Sequence, residues 1–242
     1  MALDSLRAQF KLVTQAQIKL YLSAPFTESF TNSLATTLRN EWASDFDFCF
    51  VADGGLKFAF GHYNESKNWV WIGDGDSCDA NLLAQFESIV ISNGGCFYKI
   101  VLNKNKNISD GAACLDCIQD LFLTSTRLKI EVVGVFGGRR DHEFINFFEI
   151  AQFAKQFESI AIFLHPDTLL INISSCIEAK IGETFSVTPL YGAPEVRILG
   201  AEYSGLFYLN RPSQGLSNIA NSDRISIEPK GLVALFWQGA LE

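Results

Sequence analysis

Three apolar segments of this sequence end in short motifs built from acids, glycines and an arginine. Carboxylate oxygens are the ligands that Mg²⁺ prefers in proteins, glycine lets the backbone come close to a phosphate, and arginine binds phosphate through a two-pronged fork. The motifs therefore predict one phosphate-and-metal site. They are Ala-Asp-Gly-Gly at 52–55 after the run 48–51, Gly-Asp-Gly-Asp-Ser at 73–77 after 69–72, and Gly-Gly-Arg-Arg-Asp-His at 137–142 after 130–135.

The elements around these motifs alternate between strand and helix, which is typical of a largely parallel sheet with crossover helices. In such a sheet the ligand binds outside the carboxyl ends of the strands. We therefore expect an N-terminal, Rossmann-like α/β domain with its site at that edge. Strands are predicted near 17–22, 48–52, 69–72, 97–102, 130–135 and 160–164, and helices from Asp110 to about Leu123 and from Asp141 through Phe157.

The pattern changes after His165-Pro166. Six short runs of β character follow, separated by Gly, Pro, Asn and Ser, with no convincing helix between them. This pattern is typical of a small antiparallel β-sandwich. The sequence thus predicts a nucleotide-binding, catalytic α/β domain at 1–165 and a β-sandwich domain at 166–242.

Composition excludes some classes of protein. The formal net charge is −8 and the pI is about 4.9, whereas a nucleic-acid binder usually carries a basic stripe. The N-terminus lacks the pattern of a signal peptide, and no apolar run approaches the ~20 residues that a membrane span needs. Of six cysteines, Cys114 and Cys117 form a C-x-x-C pair of helical period, which we interpret as buried helix thiols. Free buried thiols suit a reducing cytosol, so a cytoplasmic protein without nucleic-acid or membrane partners is expected.

Each candidate residue has a plainer alternative. Asp74 and Asp76 either hold a metal ion or stabilise a turn through local amides. Asp110 either caps its helix or adds a fourth carboxylate to the site. Lys106 either meets a phosphate or is solvated, and Asp141 caps its helix, orients Arg139 or receives a ligand hydroxyl.

Other chemistries have little support. His142 lies beside an arginine and an acid, where a histidine often supports its neighbours. No Ser-His-Asp order with a nucleophile elbow and no zinc-spaced histidine pair is present. A Walker-type phosphate loop is absent as well.

In order and spacing, the motifs resemble those of the thiamine pyrophosphokinase family. That family has an Asp-x-Gly strand end, Gly-Asp-x-Asp-Ser, Lys-Asp-x-Thr-Asp, Gly-Gly-Arg-x-Asp-His and a Ser-Asn motif in a C-terminal β domain. The corresponding segments here are 52–55, 73–77, 106–110, 137–142 and 215–218, within a stretch from about Leu20 to Trp237. Two positions differ, since Gly75 replaces the usual Phe and Asn107 replaces the first acid of the third motif.

The resemblance implies a Mg²⁺-dependent enzyme that transfers a pyrophosphoryl group from ATP to the thiamine hydroxyl. It further implies a homodimer with thiamine near the subunit interface, bound by the β-sandwich domain. Mapped by motif, the catalytic residues would be Asp74, Asp76, Asp110 and Arg139. Metal ligands would be Asp53, Asp74, Asp76 and Asp110, and further substrate-binding residues Gly54, Ser77, Lys106, Gly138, Asp141, His142, Ser217 and Asn218.

Two other functions remain open on the sequence. One is a diphosphokinase for another hydroxymethyl heterocycle, such as a pterin. The other is a relative that binds nucleotide or thiamine without turnover. The number of mutually repelling acids argues against a protein that only binds its ligand. In the proposed transfer reaction, Asp110 or Asp76 would accept the proton of the substrate hydroxyl.

Overall fold

The computed structural model describes residues 13–24, 34, 36–38, 46–192 and 194–240. These residues form two compact units, and the chain passes from the first to the second between Phe157 and Glu158. The described residues of 34–38 belong to the second unit. This division lies eight residues before the expected domain boundary (165 − 157 = 8), so the strand that begins at Ile160 belongs to the second unit.

The first unit is built on a parallel sheet in the order β5-β1-β2-β3-β4. Its inner strands are apolar on both faces, as expected for a parallel sheet covered on two sides; all five residues of β2 are buried. The order reverses at β1, which has β2 on one side and β5 on the other. The strands are β1 Gln15–Tyr21, β2 Phe48–Ala52, β3 Asn68–Gly73, β4 Cys96–Val101 and β5 Arg127–Val133.

Among the described residues of this unit, four α-helices accompany the sheet, with short 3₁₀ turns at Asp53–Gly55 and Phe60–His62. The segment 80–92, which the sequence left partly unclear, is a helix that Asp79 caps through the amides of Asn81 and Leu82. Cys114 and Cys117 are buried in a helix, as predicted. The helices are α1 Leu56–Ala59, α2 Ala80–Ser92, α3 Asp110–Leu121 and α4 Arg140–Ala154.

A close approach of backbones fixes where β1 and β5 end. A Cβ on Gly134 would lie 2.4 Å from the carbonyl oxygen of Leu22, and Gly134 has a φ of 76°. The amide of Ala24 donates to the Gly134 carbonyl at 3.2 Å. Because only glycine satisfies both constraints, β5 stops at Val133, two residues before the predicted end (135 − 133 = 2).

Along residues 158–192 and 194–240, the second unit contains antiparallel strands in two groups, ordered β12-β9-β14-β7-β6 and β11-β10-β13-β8. Strands from both groups contribute to one hydrophobic core, as in a sandwich. Trp237 is 1% exposed and stacks on Phe185 within that core. The strands are β6 Ile160–Leu164, β7 Thr168–Ile171, β8 Ser175–Glu178, β9 Glu183–Pro189, β10 Glu195–Leu199, β11 Gly205–Tyr208, β12 Asn218–Ile219, β13 Arg224–Lys230 and β14 Val233–Ala240.

The predicted fold class is confirmed by these two units. A mostly parallel α/β sheet comes first, and an antiparallel β unit without an α-helix between its strands follows it along residues 158–192 and 194–240. Among the described residues, no helix is long and apolar enough to cross a membrane.

Candidate functional site

The predicted motifs lie at the ends of β2 and β3 and, after a short loop, beyond the end of β5. These strands run parallel in one sheet, so their carboxyl ends lie at the same edge. The lysine and aspartate of the 106–110 segment follow β4, the next strand of that sheet. The fold thus places the four motifs where a parallel sheet binds its ligand.

Asp53 is the most buried acid of this edge. It begins the 3₁₀ turn after β2 and is 1% exposed. Its Oδ2 accepts a hydrogen bond from the Ser77 amide at 2.9 Å, while its Oδ1 is buried and has no hydrogen-bond partner. A buried acceptor without a partner is costly, so Asp53 presents an oxygen that a ligand could satisfy.

Two glycines allow the close packing around Asp53 and Ser77. A Cβ on Gly73 would lie 2.6 Å from the Asp53 Cβ and 2.7 Å from its Oδ1. A Cβ on Gly54 would lie 3.3 Å from the Cβ of Ser77. The last residue of β3 must therefore be glycine for Asp53 to keep its position. The Asp53 backbone has a φ of 20°.

Asp74 and Asp76 lie in the turn after β3. The Asp76 amide donates to Asp74 Oδ1 at 3.2 Å, and the Ser77 hydroxyl donates to Asp76 Oδ1 at 2.8 Å. These bonds are the turn chemistry considered from the sequence. Even so, Asp53, Asp74 and Asp76 each offer a carboxylate oxygen, and these three oxygens lie within 4.8 Å of one another. We call these three residues the acid cluster.

The acid cluster fits a hard divalent cation. Such ions take oxygen ligands from carboxylates, and all three residues supply them. The partnerless Oδ1 of Asp53 is the kind of atom that a bound cation would satisfy. Exposure rises from buried Asp53 through half-buried Asp74 to exposed Asp76, which leaves one side of the cluster open to a ligand.

Lys106 joins the acid cluster to Asp110. Its Nζ donates a hydrogen bond to Asp74 Oδ2 and lies 3.1 Å from Asp110 Oδ1. Asp110 is the first residue of α3, while Ser109 caps the helix through the Ala112 amide. Of the alternatives weighed above, capping by Asp110 and full solvation of Lys106 are therefore wrong.

The electrostatics of these groups differ in direction. Burial raises the pKa of Asp53, against the opposing effect of the Ser77 amide. Burial also raises the pKa of Asp110, although Lys106 acts to lower it. The hydrogen bond from Lys106 lowers the pKa of Asp74. Desolvation lowers the pKa of Lys106, but its bonds to Asp74 and Asp110 outweigh it and raise the net value.

The arginine motif lies at the start of α4. Arg139 is the N-cap residue but makes no side-chain cap, and the helix begins at Arg140, one residue before the predicted Asp141. The guanidinium donates to Asp141 from Nε at 3.1 Å and from one terminal nitrogen at 2.5 Å. Asp141 therefore orients Arg139, one of the three roles considered. The pKa of Asp141 is lowered by this bond.

Glu143 lies at the candidate site, and the sequence reasoning missed it. Its Oε1 accepts from the amides of Gly137 at 2.8 Å and Gly138 at 3.1 Å. The glycine amides expected to face a phosphate thus bind a carboxylate of the same chain in this structure. A signal was present, because a glutamate in the first turn of a helix commonly bonds amides before it. His142 is exposed on the same turn.

The Ser-Asn motif lies in the second unit. Ser217 has a φ of 57°, and its amide donates to Ser186 Oγ at 3.1 Å. Asn218 is buried, accepts from the Tyr203 amide at 3.0 Å and donates to the Tyr203 carbonyl at 2.9 Å. Asn218 therefore fixes the backbone at Tyr203, and Ser217 is the exposed member of the pair.

A comparison with models of known protein families identifies one family. The family model described as thiamin pyrophosphokinase, catalytic domain, matches residues 38–164. A search of curated proteins finds no match.

Several solved structures of similar fold carry the name thiamin pyrophosphokinase. The enzyme from Candida albicans is 12% identical, with a TM-score of 0.64 over 95% of this chain and 94% of its own. The one from Bacillus subtilis is 17% identical, with a TM-score of 0.62 over 93% and 100%. The yeast enzyme is 15% identical, with a TM-score of 0.54 over 98% and 89%.

Proposed function

Because the chain belongs to the thiamin pyrophosphokinase family, we propose that it transfers a pyrophosphoryl group from ATP to the hydroxyl of thiamine. The products are thiamine diphosphate and AMP. One observation carries the proposal beyond the family, namely the acid cluster with its buried, partnerless Asp53 oxygen. Buried polar atoms normally have a hydrogen-bond partner, so a buried carboxylate oxygen without one indicates a ligand site.

Mg²⁺ is the proposed metal, with Asp53, Asp74 and Asp76 as ligands and Asp110 beside them. When bound, Mg²⁺ would neutralise polyphosphate oxygens and help to orient them. Asp53 supplies a rigid anchor, because burial and the Ser77 amide fix its carboxylate. The turn bonds at Asp74 and Asp76 pre-organise the other two carboxylates.

The chain's own groups position the phosphates. Arg139 uses two guanidinium N–H groups on Asp141, and its remaining donors point to a role in stabilising charge on the transferring group. The N-terminus of α4 adds the positive end of a helix dipole. Lys106 contacts a phosphate oxygen, Gly54 and Gly138 allow close approach, and Ser77 and His142 support the site in this proposal.

The reaction itself needs little covalent help from protein. The thiamine hydroxyl attacks the β-phosphorus in line and AMP leaves, so positioning and charge neutralisation account for most of the rate. Asp110 or Asp76 accepts the hydroxyl proton. Nucleotide binding belongs to the first unit and thiamine binding to the second, where Ser217 and the segment fixed by Asn218 contact the acceptor.

Two properties of the whole protein are part of the proposal. All six cysteines are free thiols, which supports a reducing, cytoplasmic location. The homodimer implied by the resemblance is expected as well. Sedimentation velocity would report its mass directly.

The decisive experiment offers the protein ATP and Mg²⁺ with thiamine, with a hydroxymethylpterin, or with no acceptor, and measures AMP. We expect AMP and thiamine diphosphate with thiamine only. AMP formation with the pterin only would show that the acceptor is a pterin and not thiamine. Tight nucleotide binding without AMP formation would show a protein that binds nucleotide without turnover.

Asp74→Asn tests the role of the acid cluster in turnover. The change removes one charge from the cluster but keeps the size of the side chain. AMP formation should fall at least ~100-fold, as for loss of one preorganised electrostatic group, while circular dichroism shows an intact fold. Asp116→Asn is the control, because Asp116 is exposed on α3, and it should leave turnover unchanged. Wild-type activity in Asp74→Asn would remove Asp74 from the metal site.

A further inference from the structure

Lys106 lies between two acids of the candidate site. Its Nζ bonds Asp74 Oδ2 and lies 3.1 Å from Asp110 Oδ1, four residues along the chain. The side chains of Asp74 and Lys106 are only 5% and 16% exposed. This shielding from water makes the pair a stronger interaction than a surface ion pair.

Asp74 takes part in both the acid cluster and an ion pair with Lys106. It belongs to the acid cluster, and it is also the hydrogen-bond acceptor of Lys106. Its Oδ1 accepts the Asp76 amide and its Oδ2 accepts Lys106, so both oxygens already have donors. A cation that enters the cluster meets a carboxylate whose charge is already balanced. Asp110, in contrast, lies outside the three-oxygen group and contacts Lys106 from the other side.

We propose that Lys106 is an internal counterion of the acid cluster. It holds Asp74 while no divalent cation is bound, and it gives up Asp74 but keeps Asp110 when one binds. Lys106 thereby weakens the site for free cations, and its released ammonium becomes available to an anionic oxygen of the nucleotide. This inference rests on the metal site of the proposed function, but it needs neither thiamine nor turnover.

Competition of this kind has two linked consequences. Removing Lys106 leaves the acids without their counterion, so the cation-free protein becomes less stable. A bound cation then restores the charge balance with nothing to displace. Since a ligand stabilises a protein in proportion to the logarithm of its affinity, the stabilisation by Mg²⁺ should grow in the variant.

The test compares the full chain with Lys106→Met and Lys104→Met in the absence of nucleotide. Lys104 is exposed in the same loop, so its replacement removes the same charge without touching Asp74. Titration with Mn²⁺, followed by electron paramagnetic resonance, measures affinity. We expect Lys106→Met to bind Mn²⁺ about tenfold tighter, equivalent to about 1.4 kcal/mol, and Lys104→Met to bind within about twofold of wild type.

Thermal melts provide a second readout. In EDTA, Lys106→Met should melt below wild type, and added Mg²⁺ should raise its melting temperature by more than it raises that of wild type. If Lys106→Met cannot be purified, Lys106→Gln is measured against the same criteria.

Three results would overturn the inference. They are Mn²⁺ binding by the Lys106 variant that is equal to or weaker than wild type, equal tightening in Lys104→Met, and no Mn²⁺ binding by any variant. Failure of thiamine turnover is a separate result, because no acceptor or nucleotide enters these measurements. The counterion role would stand even if the acceptor proved to be another molecule.

Discussion

Replacing Gly73 by alanine should disable the site through a single methyl group. The added Cβ would lie 2.6 Å from the Asp53 Cβ, 2.7 Å from its Oδ1 and 2.8 Å from its Cγ. Carbon atoms pack at about 3.5–4.0 Å, so Asp53 or the end of β3 must move by about 1 Å. Asp53 is 1% exposed, so neighbouring atoms enclose its side chain.

That displacement has a cost in both stability and function. Overpacking of a buried site costs roughly 1–3 kcal/mol, and a chain of this size loses about 2–4 °C in melting temperature per kcal/mol. A misplacement of about 1 Å at a reacting centre lowers turnover by about 100-fold. Affinity for Mn²⁺ should fall too, because Asp53 anchors the acid cluster.

The assay combines thermal melting, Mn²⁺ titration and AMP formation. Gly61→Ala is the control, since nothing lies within 4 Å of a Cβ at that position, and it should change none of the three. Wild-type Mn²⁺ affinity together with wild-type turnover in Gly73→Ala would refute the claim that this glycine fixes Asp53.

Three more changes have defined outcomes. Glu143→Ala removes the acceptor of the amides at 137–138; denaturant titration should show an unfolding free energy lower by about 1–2 kcal/mol. Asn218→Ala frees the Tyr203 backbone; denaturant titration should show a loss of about 2 kcal/mol. Glu65→Gln weakens a half-buried network in the first unit and should cost about 2 kcal/mol at pH 7, with the cost shrinking as pH falls below the unfolded pKa of Glu65.

The pH dependence of Glu65→Gln follows from the partners of Glu65. Its Oε1 lies 2.8 Å from Lys19 Nζ and 3.1 Å from His62 Nδ1, and Tyr21 donates to Oε2. Burial raises the pKa of Glu65, but these donors outweigh it and hold the value below normal. The stabilisation is therefore complete above the unfolded pKa of about 4.3 and is lost as pH falls through the lower folded value. A cost that is constant with pH would contradict this, and exposed Glu158→Gln is the control.

The sequence predicted best where local pattern decides structure. The apolar runs at 48–52 and 69–72 became β2 and β3 almost unchanged, because continuous apolar residues followed by glycine and aspartate define a buried strand and its end. The convergence of Asp53, Asp74 and Asp76 followed from strands being parallel. Strand β8 was missed because it has four residues and is half-exposed, so it lacks a clear pattern.

The remaining features depend on contacts between distant residues. Lys106 and Asp74 are 32 residues apart, and neither motif alone indicates that they pair. The start of α4 depends on the Glu143 carboxylate folding back onto two amides. The stop of β5 depends on the approach of Gly134 to Leu22.

The backbone at Asp53 and Ser217 has a consequence for engineering. Their φ values of 20° and 57° lie where a side chain adds strain of about 1–2 kcal/mol. Directed evolution that scores only heat resistance would therefore favour glycine at both positions. Such a selection would enrich thermostable variants that lack the Asp53 carboxylate and the Ser217 hydroxyl. A heat-tolerant version that still works must gain its robustness elsewhere, with these two codons held constant in the library.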